Sequence, residues 1–548
     1  MFDRLVVRKF AVTSLLAVVA GSVFAADPQS APAPARQVVA IIDGKEVPPP
    51  AIEMGDPETI AAILDEGKNR NQVMDHLTHL TKRIGSRLTG SQRLITANHW
   101  CRDQYVRWGL SNSHVEQWGD VATGFDRGPS TGALLLVREK KNDDKSVTIE
   151  HDKLRDFEFS TLSWTKGTDG PVRGKVIREP QTDADYEAAK DQLAGSWILV
   201  KAASPVGQRG VRRRLADFAE MRTAARKKLA DGAAPETLTM QEKVAVAPVA
   251  GFISTTRDER VWTGGVNGWR ERKIEDYPSD ISVTVRSSDY DAINSRLADA
   301  EPIEVEFNLQ HTLTPGPVPV YNTIAEIPGT TWPDEVVIVS GHLDSWDGVG
   351  SEGCTDNGTG SATTLETARI LMAVGAKPKR TIRFINWSGE EQGLLGSARY
   401  VDMHKDALPK ISAVFVDDGG TNYNGGLNVP KAMMDMIAAA TAPINNVFYD
   451  DTDGKYLNCD LKTIEERMPP NGGSDHASFN PVGGPGFYWS EAGRADYSYG
   501  WHTQHDKLDL AIPNYLAQSA TCAAITAYNL ACAPTLVPRP PAEEKKEQ

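Results

Sequence analysis

The run Val336-Val-Ile-Val-Ser340, closed by Gly341 and followed at once by His342-Leu-Asp344-Ser-Trp-Asp347, constrains this chain more than any other stretch. An unbroken apolar, β-branched run reads as a strand buried on both faces, so helices must cover the sheet on either side. It delivers an imidazole to its carboxyl end, with a carboxylate two residues on to orient it. The pattern recurs. Strand-like residues 381–387 run into Ser-Gly-Glu390-Glu391, and strand-like 413–416 run into Asp417-Asp418-Gly-Gly. Helical segments at 362–374, stopping at Gly375, and at 394–404 separate the three strands. Strand, helix, strand at this spacing means parallel strands joined by right-handed crossovers. The expected fold is therefore α/β, with a mostly parallel central sheet flanked by helices. In such sheets, sites lie outside the carboxyl ends of the strands.

The 548 residues suit two or three domains. Residues 1–25 have the form of a signal peptide: Arg4, Arg8 and Lys9 precede an apolar stretch over 10–24, and Val23-Phe-Ala25 matches a small-X-small cleavage site. The apolar run is shorter than the ~20 residues a membrane span needs. Export to the periplasm or the exterior is expected, with no membrane span after signal removal. Residues 26–54 are rich in Ala and Pro and read as a flexible leader. Residues 55–130 read as the N-terminal part of the peptidase domain, helical in pattern over 56–109, with Leu77, Leu80, Ile84, Ala97, Trp100, Tyr105 and Trp108 on apolar faces, and Gly85-Ser-Arg-Leu-Thr-Gly90 reads as a turn-rich linker. Short strand candidates dominate 131–295, interrupted by one basic helical stretch at 209–229, and suggest a mostly β domain inserted into the catalytic one. The catalytic domain then occupies 296–535, and 536–548 form a Pro- and charge-rich disordered tail.

A net charge of −14 disfavours nucleic acid as a partner, since phosphate binding needs a basic face. Five widely spaced cysteines do not describe a disulfide framework, and the absence of a C-X-X-C pair argues against a cysteine zinc site. One bridge is compatible with an oxidising compartment.

Nitrogen and oxygen donors are plentiful instead. Two-metal hydrolytic sites need imidazoles, carboxylates and one bridging group, and the chain offers His342, Asp356, Glu391, Asp418 and His502. Asp356 sits in Thr355-Asp-Asn-Gly-Thr-Gly360, a tight turn before a helix, which suits a carboxylate forced into a shared position. Glu390 and Glu391 are adjacent carboxylates after a buried strand, costly unless something neutralises them. A metal on one leaves the other free to act as a base on water.

The segments Gly341-His-Leu-Asp-Ser-Trp-Asp, Thr355-Asp-Asn-Gly, Trp387-Ser-Gly-Glu-Glu-Gln-Gly and Gly473-Ser-Asp-His-Ala-Ser-Phe together resemble the zinc exopeptidase family of bacterial leucyl aminopeptidase and glutamate carboxypeptidase. Within it, the chain looks most like the plasma glutamate carboxypeptidase branch. The resemblance covers most of residues 70–530 and makes the insertion look like a protease-associated domain. It implies two zinc ions, one held by His342 and Asp418 and the other by Glu391 and His502, with Asp356 bridging. Glu390 would be the general base and acid, and Asp344 would orient His342. His502 is preferred to His505 and His476 because His502-Thr-Gln-His-Asp506 matches the family's last ligand motif; His476 would line the pocket or pack. Asp418 is preferred to Asp417 because a small residue and Gly follow the family's ligand. Where glutamate carboxypeptidase relatives carry a Tyr before that last His, this chain has Trp501, so the oxyanion donor stays open, with Tyr497 and Tyr499 nearby. The implied activity is hydrolysis of dipeptides or short peptides, with carboxypeptidase, dipeptidase and aminopeptidase specificity all open. Arg494 could serve as a carboxylate clamp or a surface ion pair. A homodimer is the expected assembly. The alternatives are a single-zinc glutaminyl cyclase-like acyl transferase, an inactive binding protein, and a hydrolase acting on a non-peptide amide.

Overall fold

The computed structural model describes residues 38–201, 221–277, 280–464 and 467–539. The expected signal peptide, the first part of the basic helical stretch and most of the tail lie outside the described residues.

A ten-stranded sheet organises most of the chain. In spatial order its strands are Lys45–Val47, Ala40–Ile42, Asp460–Ile464, Tyr423–Pro430, Gly486–Ala492, Ile411–Val416, Trp332–His342, Arg380–Trp387, His311–Ile327 and Ser111–Arg127. The centre, from Gly486–Ala492 to Arg380–Trp387, is parallel. Antiparallel pairings flank it on both sides, and five of the nine pairings in the sheet are parallel, in keeping with the expected mostly parallel sheet. The parallel strands are the apolar ones: every residue from Val336 to His342 and from Ile411 to Val416 is buried. The outer strands carry Gly, Pro and polar residues, which suit edges and bends.

Register sets where the strand ends fall. His342 lies opposite Trp387, and Ser340 opposite Val416. Glu390 therefore follows three residues beyond Trp387, the neighbour of His342, and Asp418 two residues beyond Val416, the neighbour of Ser340. Helix Thr359–Ala373, buried along nearly its whole length, packs against helix Pro513–Cys532. The first is rich in Thr, which is tolerated because hydroxyls bond back to carbonyls one turn earlier: Thr364 to Gly360 at 2.9 Å and Thr367 to Thr363 at 2.8 Å.

The stretch read as a leader is part of the sheet from Ala40 onward. Ala40–Ile42 and Lys45–Val47 form a hairpin about Asp43-Gly44, both in positive φ, and Ala40–Ile42 pairs in parallel with Asp460–Ile464. Apolar Val39-Ala-Ile-Ile42 decides this locally against the surrounding Ala/Pro composition. Among the described residues no helix is long and apolar enough to cross a membrane. All five cysteines are buried and none is bridged.

A second sheet, of eight strands, is built from residues between Thr131 and Asn308. Its core includes Leu134, Phe159, Trp197 and Phe307, with the Trp197 and Phe307 rings 4.8 Å apart. It includes strand Ile303–Asn308, which the sequence reading placed with the catalytic domain. The segment leaves and rejoins the main sheet where Arg127 pairs with His311, at the ends of two 17-residue strands.

That junction is a polar knot. Arg127 donates to the Asp347 carbonyl at 2.7 Å and also contacts Thr161. His311 Nδ1 donates to the Thr165 carbonyl at 3.0 Å, which leaves Nε2 to accept from Arg127 at 3.0 Å. Burial, followed by the Arg127 charge, lowers the His311 pKa to about 3. The unfolded chain takes this proton near pH 6.5, so between pH 6.5 and 3 it binds more protons than the folded one and stability falls as pH falls. His311→Gln should remove up to about 1.4 kcal/mol per pH unit of that slope, read from denaturant unfolding between pH 6.5 and 4. Equal slopes in the two proteins would contradict it.

Candidate metal centre

His342 ends its strand with both ring nitrogens engaged. Nδ1 donates to the Asp344 carbonyl at 3.0 Å, so Nε2 points its lone pair into the space beyond the strand ends. There it lies 3.1 Å from Asp418 Oδ1, 3.2 Å from Asp356 Oδ1 and 3.9 Å from Glu390 Oε2. His502 Nε2 lies 3.0 Å from Asp356 Oδ2 and 2.9 Å from Glu391 Oε2. Asp356 thus turns one oxygen to each imidazole. Two triads result, His342–Asp356–Asp418 and Asp356–Glu391–His502, each with its donor atoms within 4.8 Å of one another. Asp418 rather than Asp417 faces His342. Neither His505, stacked on Tyr499 at 4.5 Å, nor His476, 5.3 Å from the Tyr488 ring, belongs to a triad.

Local structure aims each group. Asp356 lies in the turn Cys354–Gly358, where a cis peptide joins it to Asn357. Asp506 accepts the Thr355 N–H at 2.5 Å and the Asp356 N–H at 3.4 Å. Asn357 donates to the Asp417 carbonyl at 2.7 Å and accepts the Gly360 N–H at 2.8 Å, lacing the turn to the neighbouring strand end. Asp344 does more than stand behind His342. Its carboxylate accepts the N–H groups of Glu390 and Glu391, each at 3.3 Å, and the Thr89 hydroxyl at 3.0 Å. Arg87, fully buried, donates to the carbonyls of Leu343 at 2.6 Å and Gly353 at 2.7 Å, pinning both loops beside the site. These two residues come from the segment read as a linker. Asp475, buried beside the cluster with its carboxyl pushed by burial to about 7, was also missed; its neighbour His476 was the residue singled out.

The charges are unbalanced. Four carboxylates, Asp356, Glu390, Glu391 and Asp418, face two imidazoles in a buried space. Burial opposes charge on both rings, yet Asp418 and Glu390 carry His342 well above its ordinary value, and Glu391 and Asp356 carry His502 to about 9. Burial, with Asp356 next, raises Glu391 to about 7. Mixed imidazole and carboxylate donors with excess negative charge suit a divalent cation such as zinc.

Around the cluster, Trp501 stacks on the His502 ring at 4.1 Å, so it packs there. The Tyr488 hydroxyl is committed to the Asp418 carbonyl at 2.6 Å. Burial, then the charges of Asp356 and Asp418, hold the Tyr497 pKa well above its ordinary value. Arg494 is tied to Asp450 at 2.5 Å and to the Tyr515 hydroxyl at 2.9 Å, an ion pair and not a clamp.

Residues 322–526 match the model of peptidase family M28. Carboxypeptidase Q of Bos taurus is 30% identical over 396 residues, covering 69% of this chain and 72% of that protein. Carboxypeptidase Q of Xenopus laevis is 29% identical over 420 residues, covering 73% and 77%. Aminopeptidase YwaD of Bacillus subtilis (strain 168) is 28% identical over 205 residues, 35% of this chain and 41% of that one. Among solved structures, a Peptidase M28 precursor from Shewanella amazonensis SB2B aligns with a TM-score of 0.56 at 21% identity, over 89% of this chain and 99% of that chain; this likeness shows the fold.

Gly360 tests the lacing of the turn. A methyl there would lie 2.0 Å from the Asp417 carbonyl oxygen and 2.6 Å from Asn357 Oδ1. Ala ordinarily favours a helix over Gly by ~1 kcal/mol. Gly360→Ala should instead destabilise the fold by about 1–3 kcal/mol in denaturant unfolding, and a neutral or stabilising effect would contradict the packing described.

Proposed function

This chain belongs to peptidase family M28 and is a metallopeptidase, and within that family we propose that it is an exported exopeptidase holding two zinc ions and cutting dipeptides or short peptides. The observation that carries the two-ion reading is Asp356, whose oxygens each face a different imidazole at 3.2 and 3.0 Å. In this reading His342 and Asp418 hold one ion, Glu391 and His502 the other, and Asp356 both. Zinc bound there supplies Lewis acidity, polarising a carbonyl and acidifying water.

The remaining chemistry belongs to side chains. Glu390 stands outside both triads, 3.9 Å from His342 Nε2. Burial and the carboxylates of Asp418 and Asp475 hold its carboxyl well above the usual range, against the pull of His342. A carboxyl so placed can accept a proton from the attacking water and return it to the leaving amine. Asp344 keeps Glu390 and Glu391 in register through their backbone N–H groups. Asp475 and His476 line the space on the Tyr488 side.

Export rests on the basic start and the apolar stretch at 10–24 of the sequence. The inserted segment is a protease-associated-like domain in this reading, and the assembly is a homodimer. Peptide is the substrate partner, and the acidic chain leaves nucleic acid aside.

Two measurements check the reading. Glu390→Gln should lower kcat by about 10²–10⁴-fold while zinc content is unchanged, and near-wild-type turnover would remove Glu390 from the role of base. A dipeptide blocked at both ends should resist cleavage while the free dipeptide is cut with zinc supplied. Comparable rates on both would overturn the exopeptidase assignment.

A further inference from the structure

After strand Gly251–Thr255 the second sheet sends a strap, residues 258–266, to the rim of the metal centre. The strap is tied to its own sheet: the Ser287 N–H donates to the Asp258 carbonyl at 3.1 Å, and Ser163 and Val266 exchange bonds with Gly264 and Ser163 at 2.7 and 3.3 Å. Its other face grips residues 502–504. The Thr263 N–H donates to the His502 carbonyl at 2.9 Å, and the Thr263 hydroxyl reaches the same oxygen at 3.2 Å. Trp262 forms an antiparallel bridge with Thr503. The Val261 N–H donates to Gln504 Oε1 at 2.7 Å, and Gln504 Nε2 donates to the Glu259 carbonyl at 2.8 Å.

His502 needs such a grip. Its φ is 56°, in the left-handed region that a residue with a β-carbon adopts only when its surroundings hold it there. Two donors from Thr263 converge on its carbonyl, and Trp262 backs Trp501, which stacks on the His502 ring. Thr263 also meets the other metal-bearing loop: a methyl on Gly348 would lie 1.8 Å from its Cγ2.

We propose that the strap completes the metal centre, with Thr263 as a positioning residue that sets the aim of His502 and thereby the affinity of the Asp356–Glu391–His502 half for its ion. This rests on the two-ion reading above. Because the coupling is reciprocal, an ion bound in that half stiffens the strap in return.

The test uses the full-length protein and zinc alone. In competition with a chelator, Thr263→Val should bind one of its two zinc ions about tenfold less tightly than wild type while the other is unaffected, and Thr263→Ser should restore the wild-type value. The metal-free unfolding midpoints of all three should agree. Wild-type affinity at both positions in Thr263→Val overturns the role of Thr263 and leaves the two-ion reading standing. A wild-type protein that binds one zinc overturns the two-ion reading, and this proposal with it. Hydrogen exchange on the wild type alone gives an independent check should Thr263→Val not fold: zinc saturation should slow exchange of the Val261 and Thr263 amides, and unchanged exchange overturns the proposal.

Discussion

Asp356 has to present two oxygens to two imidazoles that arrive from opposite ends of the catalytic sequence, and it has to do so while only 4% exposed. A buried carboxylate cannot be left to find its own orientation, because an unpaired or misdirected charge there costs several kcal/mol. Much of the surrounding structure serves that single placement. Asp506 takes the two amides of the turn, Asn357 ties it to the next strand end, and Gly360 allows the helix to approach the Asp417 carbonyl. Arg87 ties the turn to the end of the His342 strand by donating to the carbonyls of Gly353 and Leu343.

The parallel strands make the placement repeatable. Their side chains are buried on both faces, so a slip of register would exchange the packing on every face at once. With register fixed, His342, Glu390 and Asp418 emerge at the same end of the parallel strands, and the helix after Asp356 seals the sheet behind them. The second sheet enters through the same region. Arg127 and His311 mark its exit from the main sheet, and Arg127 reaches Asp347, five residues after His342, while its strap reaches His502. Both halves of the centre are thus braced by residues far away in sequence.

The central strands and the donors at their ends were legible because burial on two faces forces a continuous apolar run, and a change to Gly, His, Asp or Glu at its end stands out. The other strands were not. Tyr423–Pro430 and Gly486–Ala492 contain Gly, Asn, Ser or Glu and half-buried positions, and His311–Ile327 is broken by Pro315-Gly-Pro317, so none carries a clean period. Ala40–Ile42 is short and hidden in Ala/Pro-rich sequence. Arg87 and Thr89 were invisible for a different reason: their partners are backbone carbonyls and one distant carboxylate, which leave no spacing to read. Asp506 sat in plain view at the end of His502-Thr-Gln-His-Asp506, but nothing in the spacing says that it serves the Asp356 turn. The strap could not be anticipated, since each of its bonds to 502–504 uses at least one backbone group.

The central claim is that Asp356 is shared between two metal positions. Crystals of the zinc-loaded protein, measured with anomalous scattering at the zinc edge, test it directly. Two peaks should flank Asp356, one in contact with His342 and Asp418 and the other with Glu391 and His502. A single peak, or a pair of which only one touches Asp356, would contradict it.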